Sequence, residues 1–255
     1  MEIDVQIFLP ALLAGLLVVA THVPLGREVL RRGIIFIDLA VAQIAVLGVV
    51  VAQTMQWGES GIGTQLAAFG GAITGSMILH ACERRWPQTQ EAIIGSSFVL
   101  ASAISLLVLA HNPRGGEQLQ ELLSGQILWV SWKQLGYITA LYGLVLLAWL
   151  RLSARRGIAF YLLFAITVTA SVQLVGVLLV FASLVIPALA VQNYPARRAL
   201  PWAYGHSLLA YLGGFIISSL ADLPTGPMVV VTLAILAPVV ARLSYRRTDL
   251  ADMSE

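Results

Sequence analysis

Long apolar runs separated by short polar segments dominate the pattern along this chain. Most runs are close to the length that a helix needs to cross a bilayer, and they lack the alternation typical of barrel strands. Taking about 20 residues per crossing as the guide, the pattern predicts nine apolar spans. They are residues 5–24, 33–55, 64–81, 91–110, 128–150, 158–172, 174–191, 202–220 and 226–243.

The number of crossings depends on residues 158–191, which form either two short crossings or one crossing plus a partly inserted segment. Eight and nine membrane segments are therefore both possible, and nine would place the N-terminus outside and the C-terminus in the cytoplasm. Basic residues in short loops mark the cytoplasmic side. They form five groups: Arg27, Arg31 and Arg32; Arg84 and Arg85; Arg151, Arg155 and Arg156; Arg197 and Arg198; and Arg242, Arg246 and Arg247.

Composition agrees with a membrane protein. The chain is 58% hydrophobic and 11% charged, with a mean hydropathy of +0.86, which is too little charge for the surface of a soluble domain of this length. We predict one transmembrane domain over residues 1–255, with no soluble domain. The net charge of +2 gives no reason to expect nucleic-acid binding. Cys82 is the only cysteine, which excludes an internal disulfide and a cysteine-built zinc site.

The sequence offers no enzyme motif. Lys133 is the only lysine and follows Ser131-Trp132, so the Gly-Lys-Ser/Thr of a phosphate-binding loop is missing. The four histidines have no matching nucleophile motif, and HExxH is absent. We therefore predict a protein that is not an enzyme, and any active transport must use an ion gradient or a separate ATPase.

A short basic segment follows the apolar helix that begins after Gly176. Arg197 and Arg198 lie in it between Pro195 and Pro201. A buried helix leading into a rigid basic segment is typical of a membrane protein moved by a soluble partner, although a plain membrane helix followed by a basic loop gives the same pattern. The candidate coupling segment comprises Val191, Gln192, Asn193, Tyr194, Pro195, Ala196, Arg197, Arg198, Ala199, Leu200 and Pro201.

Four segments, in order, resemble the ABC importer permeases for divalent metals, the zinc and manganese uptake family. Residues 31–45 (RRGIIFIDLAVAQIA) are similar to the family's second-helix signature, and residues 121–128 (ELLSGQIL) to its Leu-Phe-Gly-Asn/Asp-Ile-Leu stretch. Residues 176–201 resemble the region before and through the coupling helix. Residues 222–227 (DLPTGP) resemble the Asp-Leu-Pro-Ser-Gly-Pro start of the last helix.

The resemblance implies an all-α polytopic membrane protein of 8–9 helices with the type II ABC importer fold, like the vitamin B12 permeases. It implies a homodimer in the bacterial inner membrane, with the pathway on the two-fold axis. It also implies a separate cytoplasmic ATPase that binds ATP and docks on residues 191–201, and an extracytoplasmic solute-binding protein. Zinc or manganese would be the transported ion, and no tightly bound cofactor is expected.

The second helix departs from the family pattern, which pairs a carboxylate and a histidine four residues apart. With the segments aligned on Ala45 and Gly48, Gln43 stands at the histidine position and Asp38 lies one residue early. Five residues of separation place the two side chains about 140° apart on a regular helix. They would share a ligand only across a local distortion, or if each met a different helix of the dimer. Glutamine is also a poorer zinc ligand than histidine, which leaves open another metal or a transient polar relay.

Asp38 and Gln43 are the candidate pathway residues. Asp38 is the only one of the 13 acidic residues that we predict inside a helix, where a carboxylate costs about 2.5–3.5 kcal/mol on insertion scales. The structural alternative for Asp38 is a pair with Arg31 or Arg32, and for Gln43 a helix-contact amide. Rival functions are the same importer for a metal chelate or vitamin, a gradient-driven secondary transporter with Asp38 as its proton carrier, and a membrane scaffold that transports nothing.

Overall fold

The fold is all helical in the part of the chain that the structure describes. We analysed a computed structural model, and its described residues are 5–57, 61–110, 127–151 and 157–252 with the single positions 117, 120, 123 and 125. Nine α-helices occur within these ranges. They are α1 (Val5–Arg32), α2 (Ile37–Thr54), α3 (Ile62–Arg85), α4 (Gln90–Leu109), α5 (Trp132–Arg151), α6 (Ile158–Val175), α7 (Val177–Ala190), α8 (Ala196–Ala221) and α9 (Thr225–Asp252). Short 3-10 turns cover Pro87–Thr89 and Ile127–Trp129.

Each predicted apolar span overlaps one of these helices, so the predicted all-α polytopic class is confirmed. Seven of the helices in the described ranges are long and apolar enough to cross a membrane. The exceptions are α7 and α8. Helix α7 has only 14 residues, which give a length of about 21 Å. The ambiguous stretch 158–191 divides at Gly176, which has φ +83° and ψ 160° between α6 and α7. A side chain is strongly disfavoured in that conformation, so glycine permits the break.

The end of α1 differs from the sequence prediction. We expected a helix ending near residue 24 and a basic loop after it, but α1 continues to Arg32 and carries all three arginines on its last turns. Gly33, with φ +70°, ends the helix. Its N–H donates to the Leu30 carbonyl at 3.2 Å, and the Ile34 N–H donates to the Val29 carbonyl at 3.3 Å. This pair of hydrogen bonds is a Schellman motif.

Pro24 interrupts the backbone hydrogen bonding of α1 without ending the helix. Proline has no N–H, so the carbonyl of Ala20 loses its usual helical donor. The Tyr204 hydroxyl of α8 donates to that carbonyl at 3.0 Å instead. In hydrocarbon a free carbonyl is costly, so the tyrosine lets the helix pass through a proline within the membrane.

The helices form an inner and an outer group. The most apolar stretches of α1, α2 and α6 are 61–67% buried, whereas those of α3, α4, α5 and α9 are 22–28% buried. Large apolar side chains such as Leu107 and Leu150 are more than 70% exposed on the outer helices, as expected for surfaces that face lipid or another subunit. The inner helix α2 packs against α3, α4 and α6, so its polar residues lie in the interior.

Candidate functional site

Asp38 is fully buried at the beginning of α2. The helix starts at Ile37, so Asp38 lies in the first turn and not well inside the helix as the sequence predicted. Its side chain is completely inaccessible, and neither carboxylate oxygen has a hydrogen-bond partner among the described residues. A carboxylate is favourable near the partial positive charge of a helix N-terminus, but that effect is small beside the cost of burying an unpaired charge.

The structural alternative for Asp38 is wrong, because Arg31 and Arg32 both bind Glu28. Arg31 donates to the two Glu28 oxygens at 2.9 Å and 2.6 Å, and the Nε of Arg32 donates to Oε1 at 2.9 Å. Glu28 is only 5% exposed. A carboxylate that accepts three charge-assisted hydrogen bonds is a stable structural element. Asp38 is therefore left without either arginine.

Glu28 belongs to a larger ion-pair cluster that joins α1 to α3. The cluster comprises Glu28, Arg31, Arg32, His80 and Glu83. Arg32 Nη1 lies 3.4 Å from Glu83 Oε1, and His80 Nδ1 lies 3.2 Å from Glu83 Oε2. The Arg32 guanidinium also lies 4.2 Å from the centre of an aromatic ring on α6, that of Phe160, a cation–π distance. Sequence reasoning missed this cluster because it ended α1 before Glu28.

Gln43 also lies on the buried part of α2, at 3% exposure, and its Oε1 has no hydrogen-bond partner in the part of the chain that the structure describes. The α-helix from Ile37 to Thr54 is unbroken between Asp38 and Gln43. The two side chains are therefore about 140° apart around the axis and about 7.5 Å apart along it. Regular helix geometry does not direct them at one ion within a single chain.

Other buried polar groups form two classes. Ser171 of α6 hydrogen-bonds the Tyr142 hydroxyl of α5, and Ser183 of α7 lies 2.7 Å from the Tyr211 hydroxyl of α8. These pairs join neighbouring helices, as expected for polar residues within a membrane bundle. By contrast, Thr169 Oγ1 of α6 has no hydrogen-bond partner within the described ranges. In the described residues, no three histidine, cysteine, aspartate or glutamate side chains are grouped closely enough to hold a metal ion.

The candidate coupling segment is a tight turn that leads directly into α8. It does not contain a separate helix, because α8 begins at Ala196 and continues through Pro201. Pro201 is the sixth residue of α8, so it has no N–H to donate to the Arg197 carbonyl, and the helix continues past this missing hydrogen bond. Pro195 precedes α8, and its carbonyl accepts the N–H groups of Arg198 at 2.8 Å and Ala199 at 3.0 Å.

Buried side chains hold this turn against the helices behind it. Val191 and Tyr194 are 1% and 8% exposed. The Tyr194 hydroxyl donates to the Val240 carbonyl of α9 at 2.8 Å, and its ring lies 5.4 Å from that of Trp202 in α8. Arg197 and Arg198 lie exposed on the opposite side. Tyr194 thus ties the turn to both α8 and α9.

Of the two remaining segments that suggested the family, the structure describes residues 222–227 fully and residues 121–128 only in part. In residues 222–227, Asp222 adopts the left-handed conformation with φ +53°, and the Thr225 hydroxyl lies 2.7 Å from that of Ser218. This connects the end of α8 to the start of α9. Of residues 121–128, positions 121, 122, 124 and 126 lie outside the described residues.

Comparison with known proteins decides the family. The model of the ABC 3 transport family matches residues 4–156 and 152–243, which is nearly all of the membrane domain described above. The chain belongs to the ABC 3 transport family. It is 27% identical to the high-affinity zinc uptake system membrane protein ZnuB of Haemophilus influenzae, with 91% of this chain and 95% of that protein covered. It is 22% identical to a probable metal transport system membrane protein of Chlamydia trachomatis, with 82% and 79% covered.

Solved structures agree with this ABC 3 assignment at the level of the fold. PsaBC from Streptococcus pneumoniae in complex with Fab superposes with a TM-score of 0.71 at 17% identity, covering 93% of this chain and 91% of that one. An inward-facing putative metal-chelate type ABC transporter superposes with a TM-score of 0.66 at 19% identity, covering 96% and 89%. The ABC 3 chain is therefore a multi-pass plasma-membrane subunit of a transporter, and its family implies an ATPase and a solute-binding protein as partners.

Proposed function

We propose that this ABC 3 chain is the permease subunit of an importer for a divalent metal ion, zinc or manganese. A separate cytoplasmic ATPase drives it, and an extracytoplasmic solute-binding protein supplies the ion. The curated relatives support the metal, since both are named as metal or zinc transport proteins. In this proposal the ATPase subunit binds ATP, and the permease subunit performs no covalent chemistry and holds no tightly bound cofactor.

The observation that carries the proposal is the burial of Asp38 without a partner. A carboxylate that cannot be explained as part of an ion pair is most simply retained for a positively charged cargo. We assign Asp38 and Gln43 as two successive polar contacts of the ion along α2. Their separation on the helix means that the ion meets one and then the other. Both contacts supply oxygen, a donor that suits manganese better than zinc.

We further assign two copies of the chain to the working transporter, with the pathway between them. The support is the large apolar surface of the outer helices, 22–28% buried in a single chain, which leaves room for a second copy as well as for lipid.

The proposed drive is closure of the ATPases against residues 191–201. The exposed arginines would receive the push, and the anchored turn would pass it to α8 and α9. Replacing Arg197 and Arg198 together by alanine should reduce ATP-driven uptake about tenfold, the effect of losing about 1.4 kcal/mol of docking energy. The replacement of Arg84 and Arg85, two exposed arginines at the end of α3, is the matched control and should leave uptake unchanged.

The proposed function is tested by metal accumulation in cells that lack their own zinc and manganese uptake. The chain is co-expressed with the ATPase and the binding protein that neighbouring genes encode. Uptake by this wild-type system is compared with uptake when the ATPase is inactive and with uptake by the Asp38→Ala variant. Uptake of one metal that requires both the ATPase and Asp38 supports the importer and its pathway residue. Uptake that requires the ATPase alone refutes the role of Asp38. Metal accumulation that does not require the ATPase, or no metal accumulation at all, refutes the metal importer.

A further inference from the structure

A cavity of about 1000 Å³ opens beside the coupling segment. Its walls come from the last three turns of α1, the end of α5, the turn after α7 and the beginning of α8. All these parts belong to the arginine-bearing ends of the helices, which the positive-inside rule assigns to the cytoplasmic surface of the membrane. The cavity is thus at the level where lipid headgroups meet water, and it is separate from Asp38 and Gln43, neither of which lines it.

One wall of the cavity is apolar. Leu146, Trp149 and Leu150 of α5 face Val191 and Leu200 across it. Leu150 is 77% exposed, so this wall continues onto the exposed outer surface of α5, which faces lipid or another subunit. An apolar surface that runs without interruption from a cavity to the membrane suits a hydrocarbon chain better than a water-soluble ligand.

The tyrosines of the cavity do not supply its polar chemistry. Tyr194 and Tyr204 both line it, but their hydroxyls donate to the carbonyls of Val240 at 2.8 Å and Ala20 at 3.0 Å. The rings therefore add apolar area. The charged groups of α1 remain as the polar features that face the cavity from that side.

The charge of the cavity is positive. Arg27 and Arg31 are four residues apart on α1, so they share one face of the helix and both line the cavity with Glu28. Glu28 is compensated by its hydrogen bonds from Arg31 and Arg32. No hydrogen bond or ion pair of Arg27 is found within the described residues. One half-buried guanidinium and part of a second are therefore directed at the same space.

We propose that this cavity binds one anionic phospholipid of the inner leaflet. The lipid phosphate lies at Arg27 and Arg31, and an acyl chain follows Leu146 and Leu150 to the bilayer. Basic pockets between helices at the cytoplasmic surface bind such headgroups because anionic lipid is concentrated there. Because the cavity also contains Val191 and Tyr194, the bound lipid supports the anchored side of the turn whose exposed side carries Arg197 and Arg198.

Native mass spectrometry of the purified full chain tests this, with phosphatidylglycerol and phosphatidylcholine added in separate titrations. Each basic residue near an anionic lipid is worth about fivefold in binding, so Arg27→Gln with Arg31→Gln should weaken phosphatidylglycerol binding about 30-fold. Arg84→Gln with Arg85→Gln should bind like the wild type. Equal binding of the two lipids by the wild type, or unchanged phosphatidylglycerol binding by the Arg27 and Arg31 variant, would overturn the proposal.

A second pair of variants keeps the test independent of α1 folding. Leu150→Glu puts a carboxylate at the exposed mouth of the cavity and should weaken phosphatidylglycerol binding by repulsion. Leu147→Glu, at a 52% exposed position that does not line the cavity, is its control and should have no such effect. Equal losses in both variants contradict the site. Loss of ATPase binding by the Arg27 and Arg31 variant, with lipid binding intact, would instead make the cavity a protein-docking site.

Discussion

Two buried carboxylates, Glu28 and Asp38, lie ten residues apart in the chain and have opposite environments. Glu28 is 5% exposed and accepts hydrogen bonds from two arginines. Asp38 is 0% exposed and accepts none. The charge of Glu28 is compensated by its arginine partners. No described residue compensates the charge of Asp38.

The comparison separates structure from function within one region. A buried ion pair is costly to break, because the surviving partner is left uncompensated. A buried carboxylate that was never paired is a cost that the fold already carries, so removing its charge relieves the fold. We therefore expect Glu28 variants to lose stability and Asp38 variants to lose transport.

Asp38→Asn should produce the largest effect, on uptake. Asparagine keeps the size of the side chain but removes its charge, and a unit charge pair at 4 Å is worth about 4 kcal/mol at an effective dielectric constant of 20. Metal uptake by the assembled transporter should fall about 100-fold or more. Asp222→Asn is the matched control, since Asp222 is exposed and asparagine tolerates its left-handed backbone. Uptake that Asp38→Asn leaves intact would remove the distinction between the two carboxylates.

Glu28→Gln should produce the next effect, on stability. Arg32 has only 13% of its side chain exposed and loses a charged partner, whereas Arg31 is 67% exposed and can turn to water. We expect a loss of about 3 kcal/mol, the lower end for a buried pair that loses one member. Thermal unfolding of the purified chain measures it, and uptake per folded molecule should stay close to that of the wild type. An uptake defect without a stability defect would assign Glu28 to the pathway.

Glu83→Gln should have a smaller effect on stability. Its side chain is 27% exposed and its contact with Arg32 is 3.4 Å long, so the loss should be below about 1 kcal/mol. The same unfolding measurement compares it with Glu28→Gln. A loss as large as that of Glu28→Gln would show that the ion-pair cluster acts as one unit, and that the pairing of Glu28 alone does not explain its role.

Gln43→His should change selectivity more than the total rate. A histidine nitrogen at that position favours zinc, which binds nitrogen more readily than manganese does. We expect the ratio of zinc to manganese uptake to rise severalfold, measured by competition in the same cells. An unchanged ratio would mean that Gln43 only contacts another helix. Asp38 would then be the only one of the two residues that contacts the ion.

The sequence predicted the membrane fold well because apolar length is a strong signal. Each of the nine apolar spans overlaps a helix, and Gly176 marks the division of the stretch that was ambiguous. The end of α1 was predicted wrongly, because three arginines were interpreted as a loop. Gly33 was the available signal: a glycine directly after basic residues is a typical helix C-terminus.

The candidate site was predicted in part, for the same reason. Asp38 was singled out by the cost of an intramembrane carboxylate, and its complete burial agrees with that reasoning. The alternative that Asp38 pairs with Arg31 or Arg32 could not be judged from the sequence, because their partner Glu28 became visible only when α1 was seen to continue to Arg32. The contact of Arg32 with Glu83 joins residues 51 positions apart, which a pattern along one chain does not reveal.

The most direct test of the central claim is the unfolding midpoint of purified Asp38→Asn beside that of the wild type. If Asp38 is kept for the ion and not for the fold, removing its charge should raise stability, by about 1 kcal/mol, since an unpaired buried charge costs more than a neutral amide. Lower stability of Asp38→Asn, in the range expected for Glu28→Gln, would show that Asp38 has a structural partner and would contradict the account.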